Sequence, residues 1–129
     1  DVYKRQKVAS FVGRRFASLL KYRPVVPDIL ISKDISLDPF GISGNIMVTP
    51  GNTIGSLSLL LPDGTSCVGD LAANHYPGRL GPILPPFASD VAVLLQSWQQ
   101  LLDQGAETVC PGHGHPFHAD ALRSTMQSF

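Results

Sequence analysis

The sequence contains little cysteine, no excess of either charge and no long apolar run, and each of these shortages excludes a class of protein. Two cysteines, Cys67 and Cys110, are too few for a disulfide scaffold and form no Cys-x-x-Cys motif, so we expect a reducing compartment and a cytoplasmic location. Ten basic residues balance ten acidic ones, so no overall charge attracts nucleic acid. No apolar run approaches the roughly 18 residues of a membrane-spanning helix, which argues against a membrane partner.

The remaining composition is typical of one globular domain. The chain has 129 residues, of which 43% are apolar and 16% are charged, and both fractions favour a folded chain over a disordered one. The first six residues, Asp-Val-Tyr-Lys-Arg-Gln, resemble a translated sequencing-adapter remnant of the kind found in assembled metagenomic sequences. We therefore take residues 7–129 as the natural part of the domain.

The start of the chain is an exception to the balance of charge. Apolar residues at helical spacing predict an amphipathic helix from about residue 7 to residue 21, with its arginines outward. We favour a solvated helix face over a basic binding patch, because a short charge cluster is a weak signal of binding. The basic residues of this segment are Lys4, Arg5, Lys7, Arg14, Arg15, Lys21 and Arg23.

A β-hairpin is predicted in the middle of the chain. Leu57–Leu61 is a short apolar run, Pro62–Thr65 has the composition of a four-residue loop, and Ser66–Gly69 forms the returning strand. If the last residue of the first strand pairs with the first residue of the second, Asp70 lies opposite the start of the hairpin. That position is beside the glycine-flanked loop that holds Asn52, and chemistry is common at such strand ends.

Further strands and a long helix complete the predicted elements. The helix follows Ser89, its expected N-cap, carries an apolar stripe through Leu102, and ends before Gly105. Strands are expected at residues 28–32, 35–37, 46–48 and 107–110, and a short helix from about Phe117. The Pro-Gly pair after the last strand is expected to break it.

The segment between Asp70 and the long helix is predicted to be an irregular loop. Residues 71–87 contain four prolines, and so long a loop in a small domain is usually functional, which suggests a lid that faces the substrate. Its candidate substrate-binding residues are His75, Tyr76 and Arg79. For His75 we favour an ordinary exposed loop histidine over a substrate contact.

Three motifs in this sequence resemble the C-terminal half of a metallo-β-lactamase-fold hydrolase. They are TPGNTIGS at residues 49–56, Gly69-Asp70, and PGHG at residues 111–114. The corresponding family pattern is T-P-G-H-T-x-G-S, then G-D, then G-H-G, and the resemblance spans about residues 28–122. It implies an α/β fold, the αββα sandwich, of which this chain carries one sheet with its helices.

The resemblance also implies a metal site. Asp70 would bridge two metal ions and His113 would complete the second site, whereas Asn52 stands where the family has a third histidine. Zinc, one ion or two, is the expected cofactor, with iron or manganese as alternatives. Asn52 either weakens the second metal site or hydrogen-bonds the loop and holds Asp70 in place. The first site of the family comes from an upstream H-x-H-x-D-H motif that this sequence lacks, so we expect the chain alone to be inactive.

Two other features invite a misleading interpretation. His113, His115 and His118 reproduce the histidine spacing of H-x-H-x-D-H, but Phe117 occupies the place of the acid, so His115 and His118 are expected to be rim or surface residues. Cys67 precedes Asp70 by three residues and is expected to be a small buried apolar residue on the opposite strand face.

Two functions follow from the resemblance and remain open at this stage. The first is a metal-dependent hydrolase in which a metal-held hydroxide attacks a small ester, thioester, lactone, amide or phosphodiester. The second is a non-catalytic relative that binds a ligand or partner. A third option, nucleic-acid processing, would require the basic segment at the start of the chain to line the cleft. We also expect the sheet face of Leu57, Leu59 and Leu61 to lack its natural cover and to promote dimers or aggregation.

Overall fold

The computed structural model describes residues 25–76, 79–85 and 88–129, and for residues 76 and 79–83 it describes the backbone. The chain divides into two units, Asp1–Leu30 and Ile31–Phe129. The predicted helix at residues 7–21 and its basic residues lie outside the described part of the chain. The elements of the second unit are β1 (Ile35–Ser36), a 3-10 turn (Asp38–Phe40), β2 (Asn45–Val48), β3 (Leu57–Leu60), β4 (Thr65–Tyr76), β5 (Arg79–Ile83), α1 (Val91–Asp103), β6 (Thr108–His113), β7 (Phe117–His118) and α2 (Asp120–Met126).

One seven-stranded sheet organises this unit. Its order is β1-β2-β3-β4-β6-β7, and β5 pairs with β4 beyond the end of β3. The pairing of β4 with β6 is parallel, and the other pairings are antiparallel. The parallel register sets Gly69 opposite Pro111 and Ala73 opposite His113, so Asp70 in β4 lies close to His113 at the end of β6.

The core lies between one face of the sheet and the two helices. Leu94, Trp98 and Leu101 of α1 recur at helical spacing and are fully buried, and the Trp98 indole donates to the Leu71 carbonyl at 2.9 Å. Burial of side chains of this size stabilises the fold by about 1.5–3 kcal/mol each. The other members of this buried cluster are Met47, Leu60, Val68, Leu71, Ala72, Leu102, Ala106, Val109, Ala119 and Leu122.

The opposite face of the sheet is more open. Leu57 is 39% exposed, and Leu59 and Leu61 are partly buried. Cys67 is also exposed, so the prediction that it is a small buried residue is wrong. It alternates along β4 with the buried Ser66 and Val68, and strand alternation therefore places its side chain on the open face.

The hairpin between β3 and β4 has a register one residue away from the prediction. Leu60 pairs with Ser66, whereas the sequence suggested Leu61, and the Leu61 amide donates to the Thr65 carbonyl at 2.8 Å. The loop is therefore shorter, because Gly64 adopts a left-handed conformation with φ of 80° and its amide donates to the Leu61 carbonyl. The predicted alignment of Asp70 with Leu57 is wrong for the same reason.

The predicted irregular loop is instead a pair of strands, while its role as a lid stays a prediction. β4 continues through Tyr76, and β5 pairs with it antiparallel from Arg79, so residues 71–76 and 79–83 form strands in place of the expected loop. The sequence misled because Pro82 is unusual in a strand, but β5 pairs with β4 alone among the described strands, and an edge position tolerates proline. Burial of Leu71 and Ala72 favours the longer strand.

Several boundaries also differ from the prediction. Residues 28–32 form no strand, and their bends are consistent with the proline that precedes them. Asp90, not Ser89, caps α1, because its carboxylate accepts from the Val93 amide at 3.1 Å. β6 continues to His113 despite Pro111, and Phe117 belongs to β7, so the last helix begins at Asp120. Among the described helices, none has the length and apolar character to cross a membrane.

Candidate metal centre

Asp70, within β4, and His113, the last residue of β6, are close together across the irregular part of the β4 and β6 ladder. The His113 Nε2 atom lies 3.4 Å from the Asp70 Oδ1 atom. Both side chains are more than half exposed, 58% for His113 and 55% for Asp70, so the pair opens to solvent. The two candidate ligands that the sequence placed 43 positions apart are therefore neighbours in the fold.

Glycines on both strands make this approach possible. The β4 and β6 ladder is irregular on both sides of Gly69, whose φ is 53°. A Cβ atom on Gly112 would lie 3.0 Å from the Asp70 Oδ1 atom and 3.2 Å from the Gly69 carbonyl carbon. A larger residue at position 112 would therefore press on the carboxylate and move it from its place beside His113.

Asn74 holds the segment that follows His113, and sequence reasoning missed this residue. Its Oδ1 atom accepts from the His115 amide at 2.7 Å, and its Nδ2 atom donates to the His115 carbonyl. Gly114 passes beneath this contact with φ of 109°, and a Cβ atom there would overlap the Asn74 side chain. Gly114 in the GHG motif signals a close backbone contact. Its partner Asn74 is not predictable from a sequence pattern that indicates a loop at residues 71–87.

The loop that carries Asn52 is tied to the start of α1 through its main chain. The buried Thr49 and Ser58 hydroxyls bond each other at 2.8 Å beneath it. Three successive loop carbonyls accept hydrogen bonds from the helix side: Pro50 from Ser97 Oγ at 2.7 Å, Gly51 from the Asp90 amide at 3.0 Å, and Asn52 from the Ser89 amide at 3.1 Å and Oγ at 2.8 Å. The motif at residues 49–56 is therefore a docking surface for α1 as well as a candidate ligand loop.

Gly51 is the point of closest contact in this loop. A Cβ atom there would lie 2.3 Å from the Leu94 Cα atom, and the φ of 130° favours glycine. The helix backbone thus packs directly on the loop backbone. Asn52 follows Gly51 and is half-buried, so the packing of Gly51 against α1 restrains the position of Asn52. Its role toward a metal stays a prediction.

The remaining histidines occupy different places. Thr108 pairs with His118, so His118 lies at the opposite end of β6 from His113, and the apparent histidine cluster is divided by the length of a strand. His118 contacts Asp120 instead, with a distance of 3.1 Å between Nδ1 and Oδ2. His115 is exposed beside Asn74.

The candidate substrate-binding residues lie on the hairpin of β4 and β5. His75 is exposed near the end of β4, where it pairs with Leu80, and Tyr76 pairs with Arg79. His75 and Tyr76 follow Asp70 on β4 and Arg79 begins β5, but a role in substrate binding remains a prediction. A cavity of about 400 Å³ lies elsewhere, at the end of the sheet where Gly64 precedes β4, and it is separate from the metal-ligand pair.

The donor set suits a transition metal but is incomplete. A carboxylate and an imidazole are both ligands of zinc and iron. Within the described part of the chain, no group of three His, Cys, Asp or Glu side chains is arranged to hold a metal ion. A catalytic zinc site uses three protein ligands, of which Asp70 and His113 would supply two if a metal bound there.

Comparisons with known proteins find similarity at the level of structure. No family model matches the sequence, and no curated protein matches it. An archaeal metallo-β-lactamase superfamily protein from Sulfolobus tokodaii matches with a TM-score of 0.65 and 16% identity, over 96% of this chain and 49% of its own. A metallo-β-lactamase family protein from Thermus thermophilus matches with a TM-score of 0.58 and 19% identity, over 98% of this chain and 48% of its own.

A third solved structure, TTHA1623 in a di-iron-bound form, matches with a TM-score of 0.61 and 24% identity, over 97% of this chain and 59% of its own. The chain thus spans about half the length of these proteins. This similarity confirms the fold class that the three sequence motifs implied. The chain has the metallo-β-lactamase fold, over about half the length of the proteins that share it.

Proposed function

We propose that this chain is part of a metal-dependent hydrolase and that Asp70 and His113 are two of its metal ligands. The observation that supports the proposal is the 3.4 Å contact between the two side chains, both of which are open to solvent. A divalent cation bound there would supply a Lewis acid and an activated water for hydrolysis of a small ester, thioester, lactone, amide or phosphodiester.

Each residue of the pair has a distinct part in this proposal. The Asp70 carboxylate has two oxygens and can serve two cations, whereas His113 offers one nitrogen. Nε2 is the His113 nitrogen that lies beside Asp70, and we assign it as the ligand atom. The Asn74 amide restrains the main chain just after His113 and limits the motion of the imidazole.

Zinc is the cofactor that we propose, with iron or manganese as alternatives. The donor set of imidazole and carboxylate is compatible with all three metals. The di-iron form of TTHA1623 shows that one protein with this fold holds iron, which supports the alternative.

A non-catalytic role is the second candidate, and Asn52 favours it. An asparagine amide is a neutral donor and a weak ligand for zinc, so a site completed by Asn52 would bind metal less tightly than one completed by histidine. In this case the domain would bind a ligand or a partner without turnover.

Metal binding to the purified chain tests the proposal. Equilibrium dialysis with zinc, iron(II) and manganese(II) should detect binding that His113→Ala and Asp70→Ala each weaken by about tenfold or more, since a ligand loss of about 1.4 kcal/mol corresponds to that factor. His118→Ala is the matched control, because His118 forms a similar exposed pair with Asp120 on the far end of β6. The proposal would be contradicted if His118→Ala lowered metal affinity as much as His113→Ala does. It would also be contradicted if the wild-type chain bound none of these metals.

Hydrolysis separates the two candidate functions. We expect the chain alone to hydrolyse generic esters, lactones and phosphodiesters no faster than background, because the pair supplies two of the ligands that a catalytic site needs. A longer parent protein that carries H-x-H-x-D-H should be active if the first candidate is correct. A parent that binds metal through Asp70 without turnover would favour the second.

A further inference from the structure

Two cysteines lie directly beside each other beneath the candidate metal centre. Cys67 and Cys110 are register partners in the parallel pairing of β4 and β6, and both are free thiols. Neighbouring strands are about 4.8 Å apart, and a disulfide accommodates Cα separations of about 4.4–6.8 Å. Register partners in a parallel pair direct their side chains to the same face, so the two sulfur atoms share the open face of the sheet.

We propose that Cys67 and Cys110 are a reversible oxidation site that closes into a disulfide. Each cysteine precedes one residue of the candidate metal centre by three positions on the same strand, Asp70 on β4 and His113 on β6. The pairing is regular from Thr65 to Cys67 and becomes irregular immediately afterwards. The disulfide would therefore join the two strands at the last regular pair before the ladder becomes irregular beside the centre.

The two thiols differ in a way that sets the order of the reaction. Cys67 is exposed and Cys110 is half-buried. Burial raises the pKa of the Cys110 thiol, and the charge and hydrogen bond of Cys67 raise it further, which lowers the fraction of Cys110 that is ionised. Cys67 is thus the first nucleophile and Cys110 the resolving thiol.

A low-molecular-weight disulfide such as oxidised glutathione is the oxidant in this scheme. The Cys67 sulfur attacks one glutathione sulfur, a mixed disulfide forms, and the first glutathione leaves and takes up the Cys67 proton. The Cys110 sulfur then attacks the Cys67 sulfur, and the second glutathione leaves with the Cys110 proton. Two protein thiols are oxidised and one glutathione disulfide is reduced, so atoms and electrons balance.

Intact-mass spectrometry of the reduced chain tests the proposal over a series of glutathione redox ratios. The wild type should lose the mass of two hydrogen atoms without retaining glutathione, and peptide mapping should show the Cys67 and Cys110 peptides joined. Cys110→Ser should retain one glutathione on Cys67, because no resolving thiol remains. Cys67→Ser should gain its adduct more slowly, because Cys110 is less exposed.

The same titration in denaturant supplies a control that requires no variant. The folded chain should form the disulfide with an equilibrium constant at least about tenfold higher than the unfolded chain, because the fold holds the thiols together. Stable glutathione adducts on the folded wild type without closure, or equal constants in the two states, would overturn the proposal. Thermal unfolding of the oxidised chain should also shift to a higher midpoint, which dithiothreitol reverses.

Discussion

The side-chain amide of Asn74 and the main chain of His115 are joined by two hydrogen bonds, one through each atom of the amide. Asn74 lies on β4, and His115 follows β6, so the contact closes the gap between the strands just past Asp70 and His113. It is the same kind of pairing that two backbones make in a sheet, continued by a side chain where the ladder has ended.

Replacing Asn74 by alanine should loosen this end of the sheet. We expect Asn74→Ala to lower the free energy of unfolding by about 1–2 kcal/mol, because two hydrogen bonds are lost. Affinity for zinc should also fall by roughly tenfold, since the segment after His113 is no longer held. Asn45→Ala, an exposed substitution in β2, is the control and should change stability by less than about 0.5 kcal/mol. Urea denaturation and dialysis measure the two effects, and equal effects in both variants would refute the role of Asn74.

Replacing Gly51 by alanine should disrupt the contact between the loop and α1. The added carbon would lie 2.3 Å from the Leu94 Cα atom, and the backbone there has a φ of 130°. We expect Gly51→Ala to cost roughly 2–5 kcal/mol, from overpacking and backbone strain together. Gly55→Ala is the matched control in the same loop, because no atom lies within 4 Å of the added carbon. Thermal unfolding should separate the two variants, and similar midpoints would show that the helix moves away without cost.

The turn at Asp63 should give the stability a pH dependence in acid. Asp63 Oδ1 accepts from the Thr65 amide at 2.9 Å, and this bond and one with the Thr65 side chain lower the pKa of Asp63 below its ordinary value of 3.8. A carboxyl whose folded pKa is lowered stabilises the fold above its unfolded pKa and loses this effect as the pH falls through the folded value.

The variant Asp63→Asn should therefore be less stable than the wild type near neutral pH. The difference should shrink as the pH falls below 3.8, because the wild-type carboxyl becomes neutral as well. Urea midpoints at a series of pH values measure it. A difference that is constant from neutral to acid pH would show that the charge of Asp63 has no part in it.

The open face of the sheet should make the isolated chain associate. Leu57, Leu59 and Leu61 lie on this face, and exposed apolar strands favour contact with a second copy. We expect dimers or larger species by size-exclusion chromatography with light scattering, and Leu57→Ser should reduce them. Ile54→Ser is the control, because Ile54 is an exposed apolar residue outside the strands. A monomer at all concentrations, with no binding of an apolar dye, would contradict this prediction.

Replacing Asn52 by histidine should raise metal occupancy if Asn52 weakens the second site. Imidazole is a preferred zinc ligand and an amide is not, so a longer parent protein with Asn52→His should hold more zinc, iron or manganese per chain. Elemental analysis of the purified protein measures the number of ions. If the wild type already holds two metals tightly and the histidine adds none, the impaired-site hypothesis fails and the structural role of Asn52 is favoured.

Local sequence patterns predicted those parts of the fold that depend on neighbouring residues. The apolar stripe of α1 and the β2 strand were found because helix and strand periodicities are visible over a few residues. The hairpin was found, but its register was wrong by one residue, because Gly64 can close the turn from a left-handed conformation that composition alone does not distinguish.

The same local patterns did not predict contacts between segments that are distant in the sequence. The extension of β4 through Tyr76 depends on the partners β5 and β6 and on burial against α1, and no local signal outweighs the prolines of that segment. The contact between Asn74 and His115 follows from this extension, because it places Asn74 on a strand beside the end of β6. The wrongly predicted loop and the missed residue therefore have the same origin, a strand stabilised by its neighbours.

The sequence by itself determined the three motifs, because a motif is a property of residue type and short spacing, and the family resemblance of those motifs implied the α/β class and the candidate pair Asp70 and His113. The tertiary structure alone decided that the pair meets at 3.4 Å, that His118 lies at the far end of β6, and that Cys67 lies beside Cys110. The physical reason is the parallel pairing of β4 with β6. It joins segments that are distant in the sequence, and a register is selected by packing over the whole sheet, not by any one stretch of chain.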